Sequence, residues 1–174
     1  MRYRRADVAG ATYFFTLNAA DRSRSTLTDH VDALRESFRV VRSRHPFDID
    51  AVVVLPDHLH LLMTLPQGDA DFATRIMLIK QRFSRQVPKG ERIGSSRVAR
   101  GERGVWQRRY WEHLIRDEDD LRTHVEYIHF NPVKHGYARR ASDWPHSSIH
   151  RYIERGQIDP GWGLAVESAG LFGE

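Results

Sequence analysis

Apolar and polar positions change their period several times along the chain, and each change marks an element. Residues 11–17, ATYFFTL, form a run of aromatic and branched residues that stops where Asn18 to Arg24 bring turn and charge chemistry, which predicts a first strand. From Thr28 to Arg44 the apolar residues Val31, Leu34, Phe38 and Val41 recur at helical spacing, with Thr28 or Asp29 as N-cap, and this predicts an amphipathic helix. HPFDIDAVVVLP and DHLHLLMTLP predict two consecutive strands joined by a tight turn at Pro56 and Asp57. The helical period returns in DFATRIMLIKQRFSRQV through Phe72, Ile76, Ile79 and Phe83, leaving Arg75, Lys80, Arg82 and Arg85 on other faces. Residues 88–104 are basic and rich in Gly and Ser and predict a mobile loop, after which VWQRRYWEHLIR predicts a fourth strand. The order βαββαβ is that of an α+β, ferredoxin-like fold, a helix pair on one face of a four-stranded antiparallel sheet.

A third helix follows in RDEDDLRTHVEYIHFNPVKHG, residues 116–136, whose first turn is rich in carboxylates, as suits the positive end of a helix dipole. Leu121, Val125 and Ile128 share a stripe that should face the sheet, and Asp120, His124, Tyr127 and Asn131 lie along its edge. Tyr127 and Asn131 are neighbours one turn apart. Each has a plain structural alternative: Tyr127 as an amphipathic border residue, and Asn131, just before Pro132, as the N-cap of a short new turn. His124 and His129 read as solvated. Residues 1–136 are expected to form the domain, and residues 137–174, containing WPHSSIHRY, a C-terminal extension packing on it.

Composition narrows the chemistry. The chain has 174 residues and no cysteine, which fits one domain and excludes disulfides, thiolate zinc sites and a cysteine nucleophile. Lys and Arg number 27 against 23 acids, and many of the acids sit in short runs such as RDEDD, a segregation that suits a polyanionic partner. No apolar run is long enough to span a bilayer and MRYRRADVAG lacks the apolar core of a secretory signal, so a cytoplasmic protein is expected. In VLPDHLHLLMTLP, His58 and His60 project from one face of a strand, roughly 7 Å apart along it. Such a pair can hold one metal ion or be purely structural.

Taken together, VVVLPDHLHLLMTLP with its His-hydrophobic-His pattern, VWQRRYWEHLIRDEDDLRTHVEYIHFNPVKHG with its tyrosine helix, and WPHSSIHRY resemble the REP-associated tyrosine transposases, a bacterial branch of the single-tyrosine HUH endonucleases. The resemblance runs over nearly the whole chain. It implies that His58 and His60 bind a divalent cation, that Asn131 completes that metal site, and that Tyr127 attacks single-stranded DNA to leave a 5′-phosphotyrosine and a free 3′-hydroxyl. It also implies DNA hairpins of repetitive extragenic palindromes as partner, and a nucleoid-associated protein acting as monomer or homodimer. Mg²⁺ or Mn²⁺ would serve, and two imidazoles favour Mn²⁺ in affinity. Candidate DNA contacts are Arg2, Arg4, Arg5, Lys80, Arg82, Arg85, Arg108 and Arg109, with the cations of the 88–104 loop. Arg108, Arg109, Tyr110 and Trp111 are consecutive, so alternate members face opposite ways. Trp106 and Trp111 are candidates for either core or base stacking. Two rival readings are a hairpin-binding module that does not cut and a plasmid-type nickase or relaxase.

Overall fold

The computed structural model describes residues 7–90 and 93–164. Four strands, β1 (Thr12–Asn18), β2 (Asp48–Val54), β3 (His58–Thr64) and β4 (Trp111–Leu114), form one antiparallel sheet in the order β2-β3-β1-β4. The α+β, ferredoxin-like arrangement expected from the periodicity is the one observed. Helices α2 (Val31–Arg44) and α3 (Phe72–Gln86) cover one face, and α5 (Glu118–Lys134) crosses the other.

Strand alternation assigns the two faces. Tyr13, Phe15 and Leu17 of β1 and Leu59, Leu61 and Met63 of β3 point toward α2 and α3, where they meet Leu34, Phe38, Ile76, Ile79 and Phe83 in the main core. Each such fully buried side chain contributes about 1.5–3 kcal/mol relative to exposure. Phe14, Ala51, Val53 and Leu62 point the other way and pack with Ile128, Leu121 and Val125 of α5. His58 and His60 share that second face. Asp71 and Asp117 cap α3 and α5, accepting from the backbone N–H of Thr74 at 2.9 Å and of Asp120 at 2.8 Å.

Several expectations are corrected. The first helix is broken: α1 (Thr26–Asp29) is a single turn anchored by buried Leu27, and His30, at φ −119° and ψ 32°, separates it from α2, so neither Thr28 nor Asp29 caps the long helix. The fourth strand spans four residues instead of the whole of VWQRRYWEHLIR: Trp106 is drawn into the main core and makes only an isolated bridge to Ala19, and the carbonyls of residues 107–108 are taken by Lys80 of α3. The 88–104 loop contains a short helix, α4 (Ser95–Val98), and is fastened. Arg103 donates to the carbonyls of Ser84, Val87 and Pro88, and Arg97 to that of Trp106. Arg75, expected on an outer face, is buried and binds both oxygens of Asp69 and the carbonyl of Pro46.

The C-terminal segment seals one edge of the sheet. An unpaired edge strand exposes a row of donors and acceptors; here Ser148 N–H donates to Val52 O, Val54 N–H to His146 O, and Val52 N–H to Ser148 Oγ. The Trp144 indole, Arg151 and the Tyr152 hydroxyl donate to further β2 carbonyls. This segment carries α6 (Ile149–Glu154) and binds α5 through His129, whose Nε2 lies 2.9 Å from Ser148 Oγ. His129 is thus fully buried, not solvated. Among the described residues no helix is long and apolar enough to cross a membrane.

Burial, and then the nearby charges of Arg151 and His150, push the His129 imidazole down to about 4 from its ordinary 6.5. The unfolded chain therefore binds more protons than the native one between those values, and stability falls as pH drops from 6.5 toward 4. This residue alone is expected to account for up to about 3 kcal/mol. Urea unfolding at pH 7.5 and 4.5 should show a shallower pH dependence in His129→Asn than in the parent; equal slopes would remove His129 from the account.

Candidate active site

The site is built by the register of β1 against β3. Thr16 pairs with His60 and Asn18 with His58, so both imidazoles lie on the α5 face, ring centroids 5.0 Å apart. Both are 4% exposed. Thr16 Oγ1 lies 2.9 Å from His60 Nδ1, and the Asp57 carboxylate 2.8 Å from His58 Nδ1. The Asp57 carboxylate accepts from His58 Nδ1, which leaves Nε2 as the nitrogen with an available lone pair, and the Thr16 hydroxyl can accept from His60 Nδ1 to the same effect. Burial pushes the Asp57 carboxyl up, but the hydrogen bonds from His58 and Arg22 outweigh it and hold the group below the ordinary carboxylate range. A carboxylate behind a histidine in this way fixes the ring and raises its basicity as a ligand.

Helix α5 completes the arrangement. Tyr127 stands edge-on to His60, centroids 5.2 Å apart, and to Phe14 at 6.0 Å. One turn on, Asn131 is fully buried, and neither its Oδ1 nor its Nδ2 has a hydrogen-bond partner among the described residues. His60 Nε2 is in the same condition. A further turn on, His135 meets His58 at 5.1 Å. Burial, followed by the charges of His58 and His135, pushes His60 down to about 3; the Asn131 amide opposes part of that fall without reaching hydrogen-bonding geometry. His60 is accordingly neutral and able to donate a lone pair.

Buried polar atoms without partners are costly, roughly 1–3 kcal/mol each. Here they converge from two elements on one place. Two imidazoles and an amide oxygen are a donor set suited to a divalent cation. The N-cap alternative for Asn131 does not hold: α5 runs through Asn131 and Pro132 to Lys134, because proline in the last turn removes little helix bonding, and Gly136 at φ +72° then ends it.

A second cluster lies beside the first. Asp120 accepts from His113 Nε2 at 2.9 Å, from the Arg116 backbone and guanidinium at 3.0 and 3.2 Å, and lies 3.1 Å from His124 Nδ1. The His113 and His124 rings stack at 4.8 Å, and His124 also touches Phe14. His124 is therefore half-buried and paired rather than solvated. Two histidines and a carboxylate have the spacing of metal ligands, but the oxygen of Asp120 nearest His113 also faces the two Arg116 N–H groups, so the cluster acts as a clamp between α5 and β4. Burial opposes ionisation of Asp120, and its hydrogen bonds with His113 and Arg116 outweigh it, holding the carboxyl well below its usual range. Neither this clamp nor the role of His135 was expected from the sequence; the spacing of Asp120 and His124 on one helix edge was the available signal.

The expected DNA contacts divide. Arg108 and Arg109 are exposed and line a polar cleft of about 900 Å³ with Arg24, next to the end of β1. Lys80, Arg82 and Arg85 belong to α3, across the sheet from Tyr127. The Lys80 ammonium donates to the Gln107 carbonyl at 2.7 Å and so holds the loop, Arg82 lies 4.0 Å from Glu36, and Arg85 is exposed. Arg2, Arg4 and Arg5 lie outside the described residues. Trp106 is core at 5% exposure and Trp111 is 58% exposed.

If the Asp120 clamp sets the pose of α5, Asp120→Ala is expected to lower unfolding free energy by about 2 kcal/mol, since it strands partly buried donors. Urea denaturation checks this, and a loss under about 0.5 kcal/mol, the range of ordinary surface changes, would deny the clamp.

Comparison with known proteins agrees with this geometry. The family model for IS200-like transposases matches residues 8–131. The REP-associated tyrosine transposase of Escherichia coli is 42% identical over 160 residues, 92% of this chain and 89% of that one, and a Haemophilus influenzae protein provisionally given the same name is 46% identical over 162 residues, 92% of each chain. A solved structure described as the REP-associated tyrosine transposase bound to a REP hairpin superposes with a TM-score of 0.82 at 40% identity, over 100% of this chain and 98% of that one. With sheet, tyrosine helix and C-terminal segment all accounted for over nearly its full length, the chain belongs to the REP-associated tyrosine transposases, within the IS200-like transposase family.

Proposed function

We propose that this protein cuts and rejoins single-stranded DNA next to REP hairpins, with Tyr127 as nucleophile and a divalent cation held by His58, His60 and Asn131. The observation that carries the reading is the convergence of Tyr127 on His60 and Asn131, where buried donor atoms stand without partners. The solved relative, described as bound to a REP hairpin, supports the choice of substrate.

The residues divide the work as follows. When bound, the cation would supply Lewis-acid neutralisation of the phosphodiester charge that otherwise repels an anionic nucleophile. The second face of the sheet holds the ligands rigid: Thr16 and Asp57 orient the rings of His60 and His58, and Asp57 is itself held by Arg22 at 2.7 Å. Tyr127 loses its proton to solvent and its phenolic oxygen attacks phosphorus. A bond forms from tyrosine oxygen to phosphorus, the bond from phosphorus to the 3′-oxygen breaks, and that oxygen takes up a proton to become a free hydroxyl. Because one phosphate ester replaces another, attack by a 3′-hydroxyl on the phosphotyrosine reverses the step without ATP. The Lys134 ammonium, 5.3 Å from the Tyr127 ring centre, places a positive charge where the phosphate must approach.

Mixing the protein with a single-stranded REP hairpin from its own genome and Mn²⁺ is expected to give a denaturation-resistant adduct that maps to Tyr127 by peptide mass spectrometry. Tyr127→Phe should abolish the adduct and leave hairpin affinity within about twofold, because it removes one oxygen and no charge. Retained cleavage in that variant would end the nucleophile assignment, and tight binding with no cutting would favour a recognition module. Separately, titration calorimetry should detect one Mn²⁺ per chain, weakened about 10-fold or more by His58→Ala, His60→Ala or Asn131→Ala. Unchanged affinity in all three would place the ion elsewhere.

A further inference from the structure

Helix α5 and strand β3 offer rows of matching pitch. Tyr127, Asn131 and His135 recur every fourth residue, one above the other on the helix, at about 6 Å per step. His58 and His60 stand two residues apart on the α5 face of the strand, at about 6.8 Å. Because the steps nearly match, the rows meet at both ends: Tyr127 lies 5.2 Å from His60 and His135 5.1 Å from His58, ring centre to ring centre, with Asn131 one helical turn from each end. Tyr127, Asn131, His58 and His60 all have a part in the chemistry proposed above. His135 has none, although its ring turns back onto His58.

Imidazoles that share an ion keep a characteristic spacing. With nitrogen about 2.0–2.1 Å from the metal and the ring centre about 1.2 Å beyond the nitrogen, two rings at octahedral or tetrahedral angles have centres about 4.5–5.4 Å apart. His58 and His60 stand at 5.0 Å and His58 and His135 at 5.1 Å, so each pair has the spacing of neighbours on one ion. We propose that His135 is a further ligand of the cation, a third imidazole that makes the site prefer a transition ion such as Mn²⁺ over Mg²⁺. The proposal rests on the reading of His58, His60 and Asn131 as cation ligands. Neither ring nitrogen of His135 is hydrogen-bonded to a described residue, and the residue is exposed, so a lone pair is free to turn to the ion. Its backbone, by contrast, is fixed: the N–H donates to the Asn131 carbonyl at 3.1 Å, and Gly136, at φ +72°, turns the chain away. A basic side chain at a helix C-terminus has a plainer role in meeting the dipole, but Lys134 already fills it, and that role does not call for packing on His58. Magnesium takes oxygen ligands and keeps its waters, whereas each added imidazole favours Mn²⁺ and the later ions of the series. Three imidazoles and an amide oxygen still leave room on an octahedral ion for a phosphate oxygen. His135 thereby sets which ion serves the site.

The test uses the full chain without DNA, and the metal ions alone. Titration calorimetry with Mn²⁺ and, separately, with Mg²⁺ is expected to show His135→Ala weakening Mn²⁺ about 10-fold or more and Mg²⁺ less than about threefold, so that the preference for Mn²⁺ narrows. Pulsed electron paramagnetic resonance of the bound Mn²⁺ counts coordinated imidazole nitrogens, and the expected count is three in the parent and two in His135→Ala. The melting temperature of the metal-free protein should stay unchanged, since the residue is exposed. Parental Mn²⁺ affinity in His135→Ala overturns the proposal. Weaker binding with an unchanged nitrogen count overturns it too, because His135 would then act on His58 and not on the ion. Parental affinity in His58→Ala and His60→Ala as well, or no binding by the parent protein, would instead sink the reading of the cation site itself, and this proposal with it.

Discussion

The pairing of β1 with β3 is the constraint on which the rest depends. These two central strands are antiparallel in unbroken register from Thr12 opposite Thr64 to Asn18 opposite His58. Because side chains alternate, a slip by one residue would turn His58 and His60 into the helix-pair core and bring Leu59 and Leu61 out under α5. The main core prevents this. Leu59, Leu61 and Met63 are completely buried against Phe15, Leu17, Phe72 and Ile76, and several large apolar side chains would have to leave that environment together. The hydrophobic face thereby fixes the polar one: the leucines hold the register, and the histidines go where the register puts them.

The second face needs a partner that supplies a tyrosine and an amide at the correct height, and α5 is located by three independent attachments. At its start the Asp120 cluster ties it to β4; at its middle Ile128 packs on Val53 and Leu62; on its far side His129 binds Ser148 of the segment that seals β2. Three separated points define the pose of a rigid rod. Tyr127 lies between the first two and Asn131 two residues past the third, so their placement over His60 comes from packing that does not involve the site's own unpartnered polar atoms. This is how a fold retains buried donors without partners: the surroundings hold them there.

What the sequence made legible follows the same division. Alternation in ATYFFTL and HLHLLMT, and helical spacing in α2, α3 and α5, were read correctly because they report burial, which is local in pattern even when its partners are distant. The α5 edge holding Asp120, His124, Tyr127 and Asn131 was read for the same reason. Misread features depended on partners that periodicity does not name. The Gly- and Ser-rich loop looked mobile because its composition is that of a linker, yet Arg103, Arg97 and Lys80 bind backbone carbonyls across it. Asn131 before Pro132 had the form of a helix start, and burial against the sheet overrode that preference. His129 looked solvated because its partner, Ser148, is nineteen residues away.

Charge was the least readable quantity, and the reason bears on how a nucleic acid would lie on the molecule. A guanidinium or ammonium in a loop serves carbonyls as readily as phosphates, and composition cannot distinguish the two. Once Lys80, Arg97 and Arg103 are assigned to the loop, Arg75 to the core and Arg108 to its pair with Glu102, the exposed cations toward the site among the described residues include Arg22 behind His58, Lys134 beside Tyr127, and Arg24 and Arg109 in the adjacent cleft. The two sheet edges then differ in kind. At β2 the C-terminal segment occupies the backbone groups and buries Ile149, whereas β4 is only four residues long and presents Trp111 beside arginines. A strand entering from the β2 side would have to displace the hydrogen bonds of Trp144, Ser148, Arg151 and Tyr152, while one entering from the β4 side meets Arg24 and Arg109 and then His60. The sealing of one edge therefore makes the approach to the site directional.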